Sequence, residues 1–162
     1  MSGGSSTFRG NDDITKSAEL LDLIKEVVAD GQRTEARDET RVLSTNAVTK
    51  KLGLTARTVR FYSEVGIATP IRRGSTRLFT PPQVRRLQLA RDLRSIGMDV
   101  KSVTDLLDQL YEPELMPQKM QALTELFSSH LKALLQREEE VRQQYFVTNR
   151  LVEQLFSSCK PA

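Results

Sequence analysis

One cysteine, one histidine, no tryptophan and an aromatic fraction of 6% are all that this 162-residue chain brings to several classes of chemistry. With Cys159 alone, neither an intramolecular disulfide nor a thiolate metal site can form within one chain. Cys159 reads as a spare thiol near a frayed terminus. His130 lies among leucines at helical spacing, which suits a helix-seam residue better than a metal ligand. There is no phosphate-cradling glycine loop and no metal-ligand cluster, so the expectation is no enzyme, no metal and no cofactor. No apolar run approaches the roughly 18 residues needed to cross a bilayer. Met1–Asp13 is rich in Gly, Ser and Asp, and lacks a signal-peptide core. A disordered start and a cytoplasmic location without membrane contact are expected.

Acidic residues are scarce in one place. Between Arg41 and Leu110 stand thirteen of the twenty-four Lys/Arg residues but five of the twenty-one Asp/Glu residues, leaving +8 there and −5 elsewhere. A compact basic unit beside acidic segments fits a protein that grips a polyanion with one part of its length, and nucleic acid is the first candidate.

Upstream of that unit, Leu20, Leu21, Ile24, Val27 and Val28 form one stripe of an amphipathic helix over Ile14–Asp30, ended by Gly31. Five large aliphatics need cover. Docking on the same chain or its dimer mate is the simpler expectation, and a separate protein partner the alternative. Gln32–Thr40 reads as a polar linker.

Within the basic unit, Ser44 can cap a helix that turns Ala47, Val48 and Leu52 inward and stops at Gly53. Thr55 caps a second helix, Ala56–Glu64, terminated by Gly66. Two short helices joined by a Gly-containing turn form a helix-turn-helix, with the second helix shaped for a DNA groove. That helix places Arg57, Arg60 and Phe61 on one face, while Val59 turns inward. Arginine's planar fork suits guanine edges and phosphates, and the hydroxyls of Thr58 and Tyr62 suit phosphate oxygens. Ile71 and Leu78-Phe79 then flank a hairpin around Gly74 that presents Arg72, Arg73 and Arg77, a basic wing. Thr80 caps a helix with Pro81 in its first turn, bearing Val84, Leu87, Leu89, Leu93 and Ile96, stopped by Gly97. Asp99 caps another through Val103, Leu106, Leu107 and Leu110. The arginines Arg85, Arg86, Arg91 and Arg94 read as ordinary solvated positions, some within reach of a DNA backbone.

From Met116 to Phe156 there is no glycine, and Pro117 stands where a first helical turn tolerates it. A helix of about 40 residues is roughly 60 Å long. Met120, Phe127, Leu134, Val141, Thr148 and Leu155 recur every seven residues, with Leu123, His130 and Leu151 at the complementary spacing. Arg137 and Gln144 interrupt this coiled-coil seam. A seam this long calls for a second copy. The dimerisation set is Met120, Leu123, Phe127, Leu134, Val141, Leu151 and Leu155.

The run Asn46-Ala47-Val48-Thr49-Lys50-Lys51-Leu52-Gly53-Leu54-Thr55-Ala56-Arg57-Thr58-Val59-Arg60-Phe61-Tyr62, followed by Gly66, Arg77-Leu78-Phe79-Thr80 and Leu93-Arg94-Ser95-Ile96-Gly97-Met98, resembles the MerR family of bacterial transcription regulators. The likeness is close over residues 42–110. It implies a mainly α fold, with a winged helix-turn-helix DNA-binding domain over 41–110 and a long coiled-coil dimerisation helix with a short tail over 111–162; the acidic, amphipathic N-terminal extension over 1–40 is foreign to the family pattern. By that resemblance Arg57 matches the base-contacting arginine, Thr58, Arg60 and Tyr62 the phosphate-contacting set, and Arg77 the wing arginine. With Thr55, Arg72 and Arg73 these make the expected DNA-binding residues. The chain departs from the pattern at Ser63, at Ser75-Thr76 and at Phe79, where the family carries an acid, a Gly-Tyr pair and a tyrosine. The resemblance implies a homodimer on a pseudo-palindromic promoter element of duplex DNA, which distorts it so that RNA polymerase can engage. An architectural DNA-binding protein is the alternative. The family's metal and redox sensors use paired cysteines and its binders of larger organic effectors add a C-terminal domain, so the expected effector is a small apolar ligand held at the dimer interface, a peptide or protein partner, an inter-subunit Cys159 switch, or none.

Overall fold

The computed structural model describes residues 10–32, 41–111 and 116–158. Cys159, the start of the chain through Arg9 and the linker residues 33–40 lie outside them. The chain divides into two compact units, Met1–Glu114 and Leu115–Ala162.

The first unit opens with α1, Gly10–Gln32. Its buried side chains are Leu23, Ile24, Val27 and Val28, whereas Leu21 is exposed. The apolar stripe is therefore turned slightly from the expected phase, with Leu23 in place of Leu21. α1 packs against α4 (Pro81–Ser95) and α5 (Val100–Tyr111) of its own chain. The face expected to seek cover is thus occupied internally and is not offered to a separate partner. Gly31 is not a left-handed helix end. It is a contact residue, where an added Cβ would stand 3.1 Å from Tyr111 Cα.

Next come β1 (Leu43–Ser44), α2 (Thr45–Leu52) and α3 (Ala56–Glu64). The Ser44 Oγ accepts from the Ala47 N–H at 3.3 Å, and the Thr55 Oγ1 from the Thr58 N–H at 3.1 Å, satisfying donors that helix starts leave orphaned. Gly53, at φ 64°, takes the left-handed turn between the two helices that a side chain would strain. β2 (Ile71–Arg73) and β3 (Thr76–Phe79) form the expected hairpin. Leu43 pairs with Phe79 and Ser44 with Leu78, giving an antiparallel sheet in the order β1-β3-β2 that ties the wing to the start of α2. This third strand was not expected from the sequence. Gln83 returns its side-chain oxygen to the Thr80 N–H at 3.1 Å at the start of α4, and Asp99 accepts from the Ser102 N–H at 2.9 Å at the start of α5. The core joins Val48 and Leu52 of α2, Val59 and Tyr62 of α3, Phe79, and Val84, Leu87, Leu89 and Leu93 of α4 to Val103, Leu106 and Leu107 of α5.

The second unit is a single helix, α6, Met116–Ser158, whose 43 residues span roughly 65 Å. Of the expected seam, Leu123 is buried, Phe127 half-buried, and Met120, Leu134, Val141, Leu151 and Leu155 exposed. Tyr145 and Val152, which the heptad reading passed over, share the Leu134–Val141 stripe on a 3.6-residue helix and are exposed as well.

Candidate nucleic-acid interface

Val59 and Tyr62 turn inward from α3 and fix its roll, which leaves Arg57, Arg60 and Phe61 on the outer face. Neither Arg57 nor Arg60 makes an ion pair or hydrogen bond among the described residues. At the start of the helix the Thr55 and Thr58 hydroxyls lie 2.8 Å apart, so the two form one hydroxyl pair at the surface. Tyr62 is 5% exposed, and its ring belongs to the core. Its hydroxyl makes no hydrogen bond within the chain, and no buried side-chain oxygen among the described residues lacks a partner. The hydroxyl therefore reaches the surface while the ring anchors the helix. Burial raises the phenol's pKa above its ordinary value, partly opposed by Arg94, which keeps it a neutral donor.

The wing brings Arg72, Arg73 and Arg77 to one end of the sheet. Arg72 and Arg77 are direct cross-strand partners, an arrangement that disfavours folding through like-charge repulsion. Between wing and helices runs a groove of about 370 Å³, lined by Ser44, Thr45 and Asn46 at the start of α2, by Arg60 of α3, and by Thr76 and Arg77 of β3. Two guanidinium groups from separate elements thus face the same space as the positive end of a helix, a setting suited to a phosphate. The part played by Ser44–Asn46 was hidden in the sequence: Ser44 read as a cap, but the β1–β3 pairing that carries it beside Arg77 left no signal.

The arginines of α4 behave differently, and here the expectation of solvated positions fails for Arg85, Arg86 and Arg91 and holds for Arg94, which is exposed. Arg85 donates through Nε and Nη2 to both carboxylate oxygens of Asp30, each at 2.6 Å. Arg86 donates to the Ile67 carbonyl at 2.7 Å and to Asp108 at 3.2 Å, with its guanidinium 4.4 Å from the Tyr111 ring centroid. Arg91 donates to the Leu52 carbonyl at 2.9 Å, and Arg94 to that of Met98. Arg85, Arg86 and Arg91 are thus engaged inside the unit, the last two on carbonyls that helix ends and turns leave within reach of a long planar donor, whereas Arg94 is exposed. Among the described residues no group of His, Cys, Asp and Glu is placed to hold a metal ion, and no helix is long and apolar enough to cross a membrane.

Residues 43–110 match the MerR HTH family regulatory protein family. The HTH-type transcriptional regulator CueR of Salmonella typhi is 34% identical over 68 residues, covering 41% of this chain and 49% of the relative. CueR of Escherichia coli O157:H7 is 32% identical over 69 residues, covering 41% and 51%. The chain spans about half the length of the curated relatives it matches. Among solved structures, the transcription regulator PbrR691 from Ralstonia metallidurans CH34, in complex with lead(II), is similar with a TM-score of 0.57 and 28% identity over 73% of this chain and 88% of that one. The matched segment begins at β1 and ends in α5, so α1 lies outside it.

Proposed function

Residues 43–110 are a MerR-family helix-turn-helix domain, and from that premise we propose that the chain is a bacterial, cytoplasmic, sequence-specific transcriptional regulator that binds promoter DNA as a homodimer. The observation that carries this reading is the outer face of α3, where Arg57 and Arg60 stand without an acidic partner and Arg60 shares the groove with Arg77. In this reading Arg57 reads a base edge. Thr55, Thr58, Arg60 and the Tyr62 hydroxyl hold phosphates, and Arg72, Arg73 and Arg77 hold the flanking backbone. The exposed stripe of α6 pairs with a second copy, spacing two recognition helices on a pseudo-palindrome. Distortion of the bound promoter, at a cost of a few kcal/mol by elastic estimates, controls access of RNA polymerase.

The test is genome-wide mapping of bound DNA followed by footprinting of the purified chain. Protection at one or a few promoters is expected; many dispersed sites would favour an architectural role. Arg57→Ala should weaken operator binding by about 1–3 kcal/mol and relax specificity at one base position. Arg60→Ala should weaken binding at all sequences alike and flatten the salt dependence. Unchanged occupancy in the double variant would overturn the reading.

A further inference from the structure

We propose that the cleft between β1, the end of α2 and the start of α4 binds a small apolar carboxylic acid, and that the acid acts on α1 through Arg85. The inference goes beyond DNA binding and stands on a different part of the unit. The cleft encloses about 310 Å³, at the lower end of the roughly 300–1,000 Å³ typical of small-molecule sites. Leu43, Pro81 and Val84 give it an apolar lining, Gln88 adds an amide, and Arg41, Lys51 and Arg85 supply three cations; no acidic side chain lines the cleft, although Arg85 is paired with Asp30 on its other edge.

Charge complementarity names the occupant. Arg41 and Lys51 are exposed and make no ion pair or hydrogen bond among the described residues. Arg85 gives Nε and Nη2 to Asp30, which leaves Nη1 as a second donor edge of the same guanidinium. A carboxylate on that edge turns Arg85 into a bridge between ligand and α1. An apolar tail on Leu43 and Val84 satisfies the lining, which a phosphodiester would not. The cleft is also separate from the groove facing Arg60. Leu43 and Ser44 are neighbours on one strand, where successive side chains point to opposite faces; Leu43 lines this cleft and Ser44 the groove. Lys51 stands at the other end of α2 from Asn46.

The experiment titrates the ¹⁵N-labelled full chain with 4-phenylbutyrate and, in parallel, with 4-phenylbutanol. The acid should shift the backbone amides of Leu43, Val84, Arg85 and Gln88, with the alcohol binding about tenfold more weakly, the equivalent of ~1.4 kcal/mol. The Arg41→Gln/Lys51→Gln double variant replaces two exposed side chains, and its melting curve reports that it still folds. It should lose about tenfold in affinity for the acid and nothing for the alcohol. Equal binding of acid and alcohol, an unchanged affinity in the double variant, shifts confined to α6, or no shift at millimolar acid would each overturn the proposal. The titration contains no DNA, so its failure leaves the footprinting result standing, and the reverse also holds.

Discussion

Replacing Asp30 by alanine cuts a bidentate ion pair that fastens α1 to α4. The two side chains are unequally buried, Asp30 being 5% exposed and Arg85 29%. That difference sets the order of the effects. Removing one partner of a fully buried pair costs about 3–5 kcal/mol. The guanidinium left behind by Asp30→Ala keeps partial contact with water, so that variant should lose only ~2 kcal/mol. Arg85→Met keeps the aliphatic stem but strands a buried carboxylate, and should lose nearer ~3 kcal/mol. The double variant strands nothing and should lose less than the sum by ~2 kcal/mol or more. On a chain of this length each kcal/mol moves the midpoint by about 2–4 °C. The chain has two units, so urea unfolding by circular dichroism should be paired with amide hydrogen exchange. Exchange should accelerate at Leu23, Ile24, Val27 and Val28 in the Asp30→Ala variant while Val59 and Tyr62 keep their protection. Additive single effects, or a loss under ~0.5 kcal/mol in both single variants, would show that packing alone holds α1 and that the pair is incidental.

Gly31→Val should destabilise the same junction by about 1–3 kcal/mol, because a Cβ at 3.1 Å from Tyr111 Cα meets backbone that cannot swing aside; urea unfolding measures it, and unchanged stability would contradict the close approach. Asp99 has its pKa lowered by the backbone and side-chain hydrogen bonds from Ser102. A depressed folded-state pKa means stabilisation that is present above the ordinary carboxylate range and lost as pH falls through the folded value. Asp99→Asn should therefore show a shallower acid limb than wild type in thermal melts, and identical limbs would refute the cap's role. Leu134→Glu combined with Val141→Glu places two charges in the exposed stripe of α6 and should convert the proposed dimer to monomer in sedimentation at micromolar concentration; a variant that still sediments as a dimer would move the interface elsewhere.

Most of the basic unit could be read from punctuation. Ser44, Thr55, Thr80 and Asp99 each stand directly before a helix, and Gly53, Gly66 and Gly97 each close one. These signals are local, since a cap is satisfied by a donor two or three residues away. What the sequence concealed was non-local. β1 is two residues long and exists because Leu43 and Ser44 meet Phe79 and Leu78 some 35 positions later. The stripe of α1 differed from the expected one by the exchange of Leu21 for Leu23, because Leu20, Leu21, Leu23 and Ile24 admit more than one apolar stripe, and only the surfaces of α4 and α5 choose between them. At the candidate site, the outward set on α3 was legible from its inward residues. Arg60 and Arg77 facing one groove with the start of α2 was not.

The distribution of charge meets the same limit more sharply. Thirteen cations between Arg41 and Leu110 read as one basic surface, yet the four on α4 end on oxygen atoms of the chain itself: Asp30, the carbonyls of Ile67, Leu52 and Met98, and Asp108. Leu52 closes α2, where carbonyls are left without helical partners, and an arginine from α4 supplies the donor. Of the other nine, Lys101 pairs with Asp105 and eight stand between Arg41 and Arg77, where Glu64 is the one acidic residue of the sequence. The surface offered to a polyanion is thus narrower and more strongly positive per residue than the whole unit suggests. Three of the α4 arginines, Arg85, Arg86 and Arg91, do a separate job. They tie α4 to α1, to the end of α2, to the segment after α3 and to α5, so the angle of α3 depends on a helix that carries none of the recognition residues. A substitution at Arg86 or Arg91 should for that reason weaken DNA binding while removing no contact with DNA.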